Sequence, residues 1–258
     1  MSILSDLVEG ARADAATRRE NTPLSDLERA AADVAPALDA LEALRPAEKV
    51  KIIAEVKRKS PSRGHLADIP DPAELASTYA GAGASAISVL TEERRFGGSL
   101  DDLRAVRSAV DIPILRKDFI VEEYQVFEAR AAGADLVLLI AAALDQRRLH
   151  ELHELVGELG MTALVETHDE DEVLRALDVG APIIGVNARD LGTFELDPDL
   201  FGRLAGGIPG SVVRVAESAV KQAADVAHYR AAGADVVLVG EALVTGDPAA
   251  RLEEFLAV

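Results

Sequence analysis

Ile52 to Gly64 reads IIAEVKRKSPSRG: an apolar run, a cluster of charges, then a loop rich in Ser, Pro and Gly. The apolar run is long enough to be the body of a buried strand, and Gly64 can take backbone angles closed to other residues. Alternation puts Ile53, Glu55 and Lys57 on one side of that strand and Ala54, Val56 and Arg58 on the other. Glu55 and Lys57 therefore share the inward side of its carboxyl end. Burying such charges is costly unless they are paired or used. A strand ending this way is the expected mouth of an α/β enzyme.

The same pattern repeats down the chain. Apolar runs recur at Ile52 to Val56, Ala86 to Leu90, Ile112 to Leu115, Leu136 to Ile140, Thr162 to Val165, Ile183 to Val186, Val212 to Val215 and Val236 to Val239. Amphipathic segments lie between them, from Pro72 to Ala80 through to Pro248 to Leu256. Asp71 before Pro72 and Asp197 before Pro198 read as N-cap and first-turn signals. Ala80-Gly-Ala-Gly-Ala84, Arg130-Ala-Ala-Gly-Ala-Asp135 and Arg230-Ala-Ala-Gly-Ala-Asp235 each close a helix and launch a strand. The echo has a period of about 50 residues, or two strand–helix units. Eight such units in about 210 residues predict a TIM (β/α)8 barrel of the α/β class. No dinucleotide fingerprint follows the first strand, which disfavours an open doubly wound sheet.

Before the barrel come 45 residues without a strand. Ile3, Leu4, Leu7, Val8, Ala11 and Ala15 fall at helical spacing, and Asn21-Thr22-Pro23 breaks the segment. Leu24 to Leu44 continues helically, with Pro36 expected to open a further turn. The apolar faces favour packing on the barrel. The expected organisation is a single domain, residues 1–258, with residues 1–45 a helical extension packed on it.

Composition removes several functions. The chain has no cysteine, which excludes disulfides, thiolate metal sites and a cysteine nucleophile. A formal charge of −18 argues against nucleic acid as partner. No apolar run approaches transmembrane length and the first residues are not a signal peptide, so no membrane partner is expected and the cytoplasm is the expected location. There are six lysines, four of them around the first strand.

In a barrel the carboxyl ends of all strands form one rim, and the site is assembled there. Lys57, Lys117 and Glu166 are inward charges at three strand ends that must pair with one another or address a ligand. Glu241 and Asp118 read more readily as helix-start carboxylates, and Glu217 can be read that way too. Arg94 and Arg95 are equally well a solvated loop. His168 reads as structural or surface, with no metal implied. After the last two strands, Ser218-Ala219 and Gly240-Glu241-Ala242 present small residues whose free amides suit a phosphate.

With these residues laid out, the chain resembles the indole-3-glycerol phosphate synthase family over almost its whole length. The resemblance is carried by Ile53-Ala-Glu-Val-Lys-Arg-Lys-Ser-Pro-Ser62, Leu115-Arg-Lys-Asp-Phe119, Leu164-Val-Glu166, Gly185-Val-Asn-Ala-Arg-Asp-Leu191, Ala216-Glu-Ser218 and Leu238-Val-Gly-Glu241. It implies a carbon–carbon lyase that converts 1-(2-carboxyphenylamino)-1-deoxyribulose 5-phosphate to indole-3-glycerol phosphate, releasing CO2 and water. It implies Lys117 as general acid at the ketone oxygen, Glu166 in proton removal and Glu55 in later acid–base steps. Lys57 would pair with the substrate carboxylate, and Asn187 would hydrogen-bond near the reacting hydroxyls. Arg189 would add a polar contact, and Glu217 would bind a hydroxyl or support the other residues. Ser60, Ser218, Ala219, Gly240 and Glu241 would line the phosphate end. No metal and no cofactor are implied. A stand-alone synthase acting on a phosphorylated small molecule is expected, and the prefix has too little apolar surplus to force a dimer, leaving a monomer open.

Two positions depart from the family pattern. Ala219 stands where glycine is usual, and Ala242 where serine is common. If position 219 needs φ above zero, its methyl strains the turn; if its angles are helical, it is harmless. Weakened or unchanged phosphate affinity is expected rather than lost activity. The nearest rival reading is another ribulose-phosphate barrel, an isomerase or an aldolase forming a Schiff base on Lys117. A barrel that binds without catalysis would have no need of Glu55, Lys57, Lys117, Glu166 and Asn187 together.

Overall fold

The eight apolar runs become eight parallel strands of one closed barrel in a computed structural model that describes residues 3–258. They are β1 (Lys51–Val56), β2 (Ala86–Leu90), β3 (Ile114–Lys117), β4 (Leu136–Ile140), β5 (Thr162–Thr167), β6 (Ile183–Asn187), β7 (Val213–Glu217) and β8 (Val236–Val239). Each pairs with its neighbours in sequence, and β1 closes the ring against β8 with Lys51 opposite Val236. Ile53, Leu115, Leu138, Leu164, Val215 and Leu238 pack into one interior cluster. The intervening Ile52, Ile114, Leu139, Val165, Ala216 and Val237 face outward into a second cluster beneath the helices. The alternation expected for β1 therefore holds around the barrel.

Two strand boundaries move for physical reasons. Pro113 has no N–H for a ladder, so β3 begins after it and runs on to Lys117. β5 extends two residues beyond the apolar run because Glu166 and Thr167 pair with Gly185 and Val186.

The prefix forms α1 (Ile3–Asn21), α2 (Leu24–Asp33) and α3 (Ala40–Leu44); the first two residues of the expected extension, Met1 and Ser2, lie outside the described residues. Pro36 opens no helical turn: α2 ends at Asp33, the chain is extended at Val34, and α3 starts with Asp39 accepting from the Glu42 amide. Leu7 and Ala11 of α1 share a cluster with Phe119 at the mouth, while Ala40 and Leu44 of α3 join it from the other end. Lys51, the first residue of β1, donates to the carbonyl of Ala43 at 2.7 Å.

The barrel helices are α4 (Pro72–Gly81), α5 (Leu100–Arg107), α6 (Glu123–Ala131), α7 (Gln146–Glu158), α8 (Glu170–Asp178), α9 (Leu200–Leu204), α10 (Ala223–Ala231), the short α11 (Glu241–Val244) and α12 (Pro248–Leu256). Asp71 caps α4 as expected, accepting from Ala73 and Glu74. Asp197 stands at the turn that leads into α9, which starts at Leu200; its carboxylate accepts from the Asp199 amide at 3.2 Å and also pairs with Arg203.

The sequence echo is a joint. Gly83, Gly133 and Gly233 take φ of 99°, 90° and 98°, and the next amide returns to Tyr79, Ala129 and Tyr229 respectively. This is the left-handed helix ending that glycine permits. The aspartates that close the second and third copies then grip the preceding strand. Asp135 accepts from the Ile114 amide at 2.8 Å, and Asp235 from the Arg214 amide at 3.0 Å.

Candidate active site

Alternation and register bring the predicted charges to one level of the barrel. Lys117 ends β3, Glu166 lies near the end of β5, Asn187 ends β6 opposite Glu217 of β7, and Glu55 approaches the end of β1. They line a cleft of about 350 Å³ whose walls include Leu7, Phe96, Phe119 and Ile140. A cleft with apolar walls and a charged floor suits an aromatic ligand with polar groups at one end.

Lys117 is the hub. Its ammonium lies 3.1 Å from Glu166 Oε2 and also donates to Glu217 Oε2. Burial opposes its charge, but Glu217, Glu166 and Glu55 together raise its pKa above the ordinary lysine value. The two carboxylates are pushed apart. Burial alone would raise Glu166, yet Lys117, His168 and Asn187 hold it well below the usual carboxylate range. Glu217 is pushed up to about 7, first by burial and then by the Glu166 charge, against the pull of Lys117. Two carboxyl groups with separated affinities can serve as one base and one acid. Glu217 is thus at the centre of the cluster and not a helix-start carboxylate. Position 185 must be glycine for this arrangement, since a Cβ there would collide with Glu217 Oε1.

Glu55 and Lys57 form a second pair, 2.5 Å apart, on the β1 side of the cleft. A Cβ at Gly240 would strike both, so β8 leaves them room. Asn187 Oδ1 accepts from the Arg189 amide at 3.0 Å and the Ser218 hydroxyl at 2.8 Å. The loop after β1 folds back over this end. Ser60 sits in a two-stranded hairpin against Gly64, Ser62 accepts from Arg189 at 3.1 Å, and Arg63 pairs with Glu241 at 2.7 Å. Glu241 does open α11, but its carboxylate reaches this arginine and not a helix amide.

Ser218 and Ala219 both have φ above zero, 69° and 59°. The strained alternative for position 219 is the one realised. A methyl in the left-handed region costs about 1–2 kcal/mol, of which the freer unfolded chain of a glycine returns about 0.4–1 kcal/mol. Ala219→Gly is therefore expected to stabilise the fold by about 0.5–1 kcal/mol, read as a higher midpoint in urea, with phosphate affinity unchanged or tighter. A lower midpoint would show that the turn is not strained by its methyl.

Two expectations are corrected here, for Asp118 and His168. Asp118 caps no helix: α6 begins later, with Gln125 accepting from the Glu122 amide, and Asp118 is instead buried against Arg116 at 2.9 Å. Arg94 and Arg95 are exposed, as in a solvated loop, and Arg94 grips Asp14 of α1 there through two bonds of 2.8 and 2.6 Å. His168 is neither a surface residue nor remote from the chemistry. Its Nε2 is 3.3 Å from Glu166 Oε1 and its Nδ1 is 3.0 Å from Glu172. The signal was in the sequence: two residues past Glu166, alternation puts residue 168 on the same side. Among the described residues no cluster of His, Asp or Glu is arranged to hold a metal ion.

Comparison with known proteins adds to this geometry. A family model of indole-3-glycerol phosphate synthase matches residues 4–255. The indole-3-glycerol phosphate synthase of Leifsonia xyli subsp. xyli is 69% identical, covering 100% of this chain and 99% of the relative. The one from Parafrankia sp. is 60% identical over 96% of this chain and 92% of its own length. Among solved structures, N-acetylmannosamine-6-phosphate 2-epimerase from Clostridium perfringens superposes with a TM-score of 0.63 at 14% identity, over 81% of this chain and 91% of that one. That likeness concerns the fold alone.

Proposed function

The chain belongs to the indole-3-glycerol phosphate synthase family, and from that premise we propose how its rim residues divide the work of the reaction. The enzyme is a carbon–carbon lyase that converts 1-(2-carboxyphenylamino)-1-deoxyribulose 5-phosphate to indole-3-glycerol phosphate with loss of CO2 and water. The observation that carries our assignment is Lys117, held charged between Glu166 and Glu217 on the floor of the cleft.

Ring closure needs a proton delivered to the oxygen of the ketone as the aromatic carbon attacks. Lys117, kept protonated by its neighbours, is the donor. Glu217 can return a proton to the lysine. Loss of CO2 restores aromaticity, so the step itself calls for no external electron sink. Glu166 then takes a proton in the steps that form the indole, and the Glu55–Lys57 pair assists departure of the hydroxyl. Lys57 also holds the substrate carboxylate, and Asn187 and Arg189 orient the hydroxyl chain. The phosphate lies toward Ser60, Ser218, Ala219, Gly240 and Glu241, where backbone amides are free to meet it. The aromatic ring then fits between Leu7, Phe96 and Phe119. Ala242 is buried behind this end, a place where a lost hydroxyl removes at most one donor of several.

We read residues 1–258 as one barrel domain with residues 1–45 packed on it, acting in the cytoplasm. No helix among the described residues is long and apolar enough to cross a membrane. The direct test of the reaction is conversion of the substrate by purified protein, followed by indole fluorescence. The chain has no tryptophan, so its own background is low. Rising indole signal that is insensitive to chelators is expected; binding without any signal would overturn the reading.

A further inference from the structure

We propose that His168 is a positioning residue for the reaction: seated on the Glu166 oxygen that Lys117 leaves free, it fixes that carboxylate's orientation and charge. This rests on the reading above that Glu166 works as a base. Lys117 addresses Glu166 Oε2, while His168 Nε2 lies 3.3 Å from Oε1, an ion contact short of hydrogen-bond geometry. The ring itself is held from behind. Nδ1 donates to Glu172 Oε2 at 3.0 Å, and the His168 amide donates to the same oxygen at 2.7 Å.

Carboxylates from two elements face the ring. Glu166 faces the ring from β5 and Glu172 from α8. A second cavity of about 350 Å³, of which His168 is a lining residue, carries Asp190, Glu195 and Asp197 of the segment after β6 among neutral neighbours such as Thr193 and Leu200. The cation on the far side of Glu166 is Lys117. Burial works against a charged imidazole, but the two flanking carboxylates outweigh it and raise its pKa to about 10. Glu166 therefore has a cation at each oxygen. Glu217 has only Lys117, and its buried Oε1 has no partner. His168, alongside the Asn187 contact, makes two carboxylates on one lysine unequal, leaving Glu166 the base and Glu217 the proton carrier.

A ring that merely braces the start of α8 would make the same contact with Glu172, so the test must read charge as well as stability. In His168→Ala, kcat is expected to fall about 10- to 100-fold with KM little changed. The acid limb of kcat/KM should move up by about one pH unit, because the carboxyl pair loses a cation and binds its proton more tightly. His168→Gln keeps a donor without the charge and should recover part of kcat while its limb stays displaced. Nitrogen NMR of the wild-type chain, with His168 assigned by its loss in the Gln variant, should find the ring doubly protonated at about pH 8. A neutral ring there overturns the proposal whether or not turnover is measured. So do variants that lose thermal stability but keep the wild-type limb and kcat. Absence of turnover in the wild type would instead strike the reading of the reaction, leaving the NMR result to judge His168.

Discussion

Replacing Lys117 with alanine is expected to lower kcat by about 10³- to 10⁴-fold while leaving the fold intact. The first half follows from chemistry. An electron-rich ring adds to a ketone only as fast as the developing oxyanion is neutralised, and no other cation touches both Glu166 and Glu217. Lys57 pairs with Glu55 at 2.5 Å on the other side of the cleft, where in the proposed division of work it meets the substrate carboxylate and not the ketone oxygen. The second half follows from the carboxyl pair. Without the lysine, two buried carboxylates would face each other, but Glu217 already sits at about 7 and takes up a proton. The protein escapes an uncompensated charge by that route. Borohydride added during wild-type turnover should leave Lys117 unmodified, since a Schiff base requires the neutral amine that this site disfavours. A covalent adduct would reassign the lysine from acid to nucleophile.

The largest effect on stability is expected elsewhere, at Arg116. This side chain is fully buried on the outer face of β3 beneath α6. It donates to the Gln125 carbonyl at 2.7 Å, to Asp118 at 2.9 Å and to Thr91 at 3.1 Å, with Glu128 at 3.4 Å. Glu128 is in turn gripped by Arg18 of α1 at 2.5 and 2.9 Å, so the network ties the N-terminal extension to the strand that carries Lys117. Arg116→Ala leaves Asp118 buried with only the Thr91 hydroxyl and its own neighbouring amide. Breaking such a network on one side costs about 3–5 kcal/mol. For a chain of this length that lowers Tm by on the order of 10 °C. The double variant Arg116→Met with Asp118→Asn removes both charges and should recover part of the loss. A single variant within about 1 kcal/mol of wild type would mean that the network is solvated and contributes little.

Much of the barrel and most of the site lie on the surface of the sequence because both rest on period-two alternation. Once β1 is placed, Ile53, Glu55 and Lys57 must face inward together, and the parallel register aligns the other strand ends with them. Where the run of apolar residues stops before the strand does, the rule is cut short. β5 continues through Thr167 because it is hydrogen-bonded to β6, not because its residues are apolar, so the alternation that sets His168 beside Glu166 shows only when the strand is carried past its apolar run. Asp118, Glu217 and Arg94 are obscure for a different reason. Their partners are Arg116, Lys117 and Asp14, and only the folded packing decides which carboxylate meets which cation. The start of α3 after Asp39 shows a similar limit: Pro36 offers a helical turn, and the chain stays non-helical there instead.

The most direct measurement counts CO2 released against indole product formed when the purified chain is given 1-(2-carboxyphenylamino)-1-deoxyribulose 5-phosphate, with Lys117→Ala run beside it. The structure predicts one CO2 per indole in the wild type and both lowered together by about 10³- to 10⁴-fold in the variant. Indole formation undiminished by loss of Lys117, or a wild type that binds the substrate and releases nothing, would contradict the role given to the lysine and its two carboxylates.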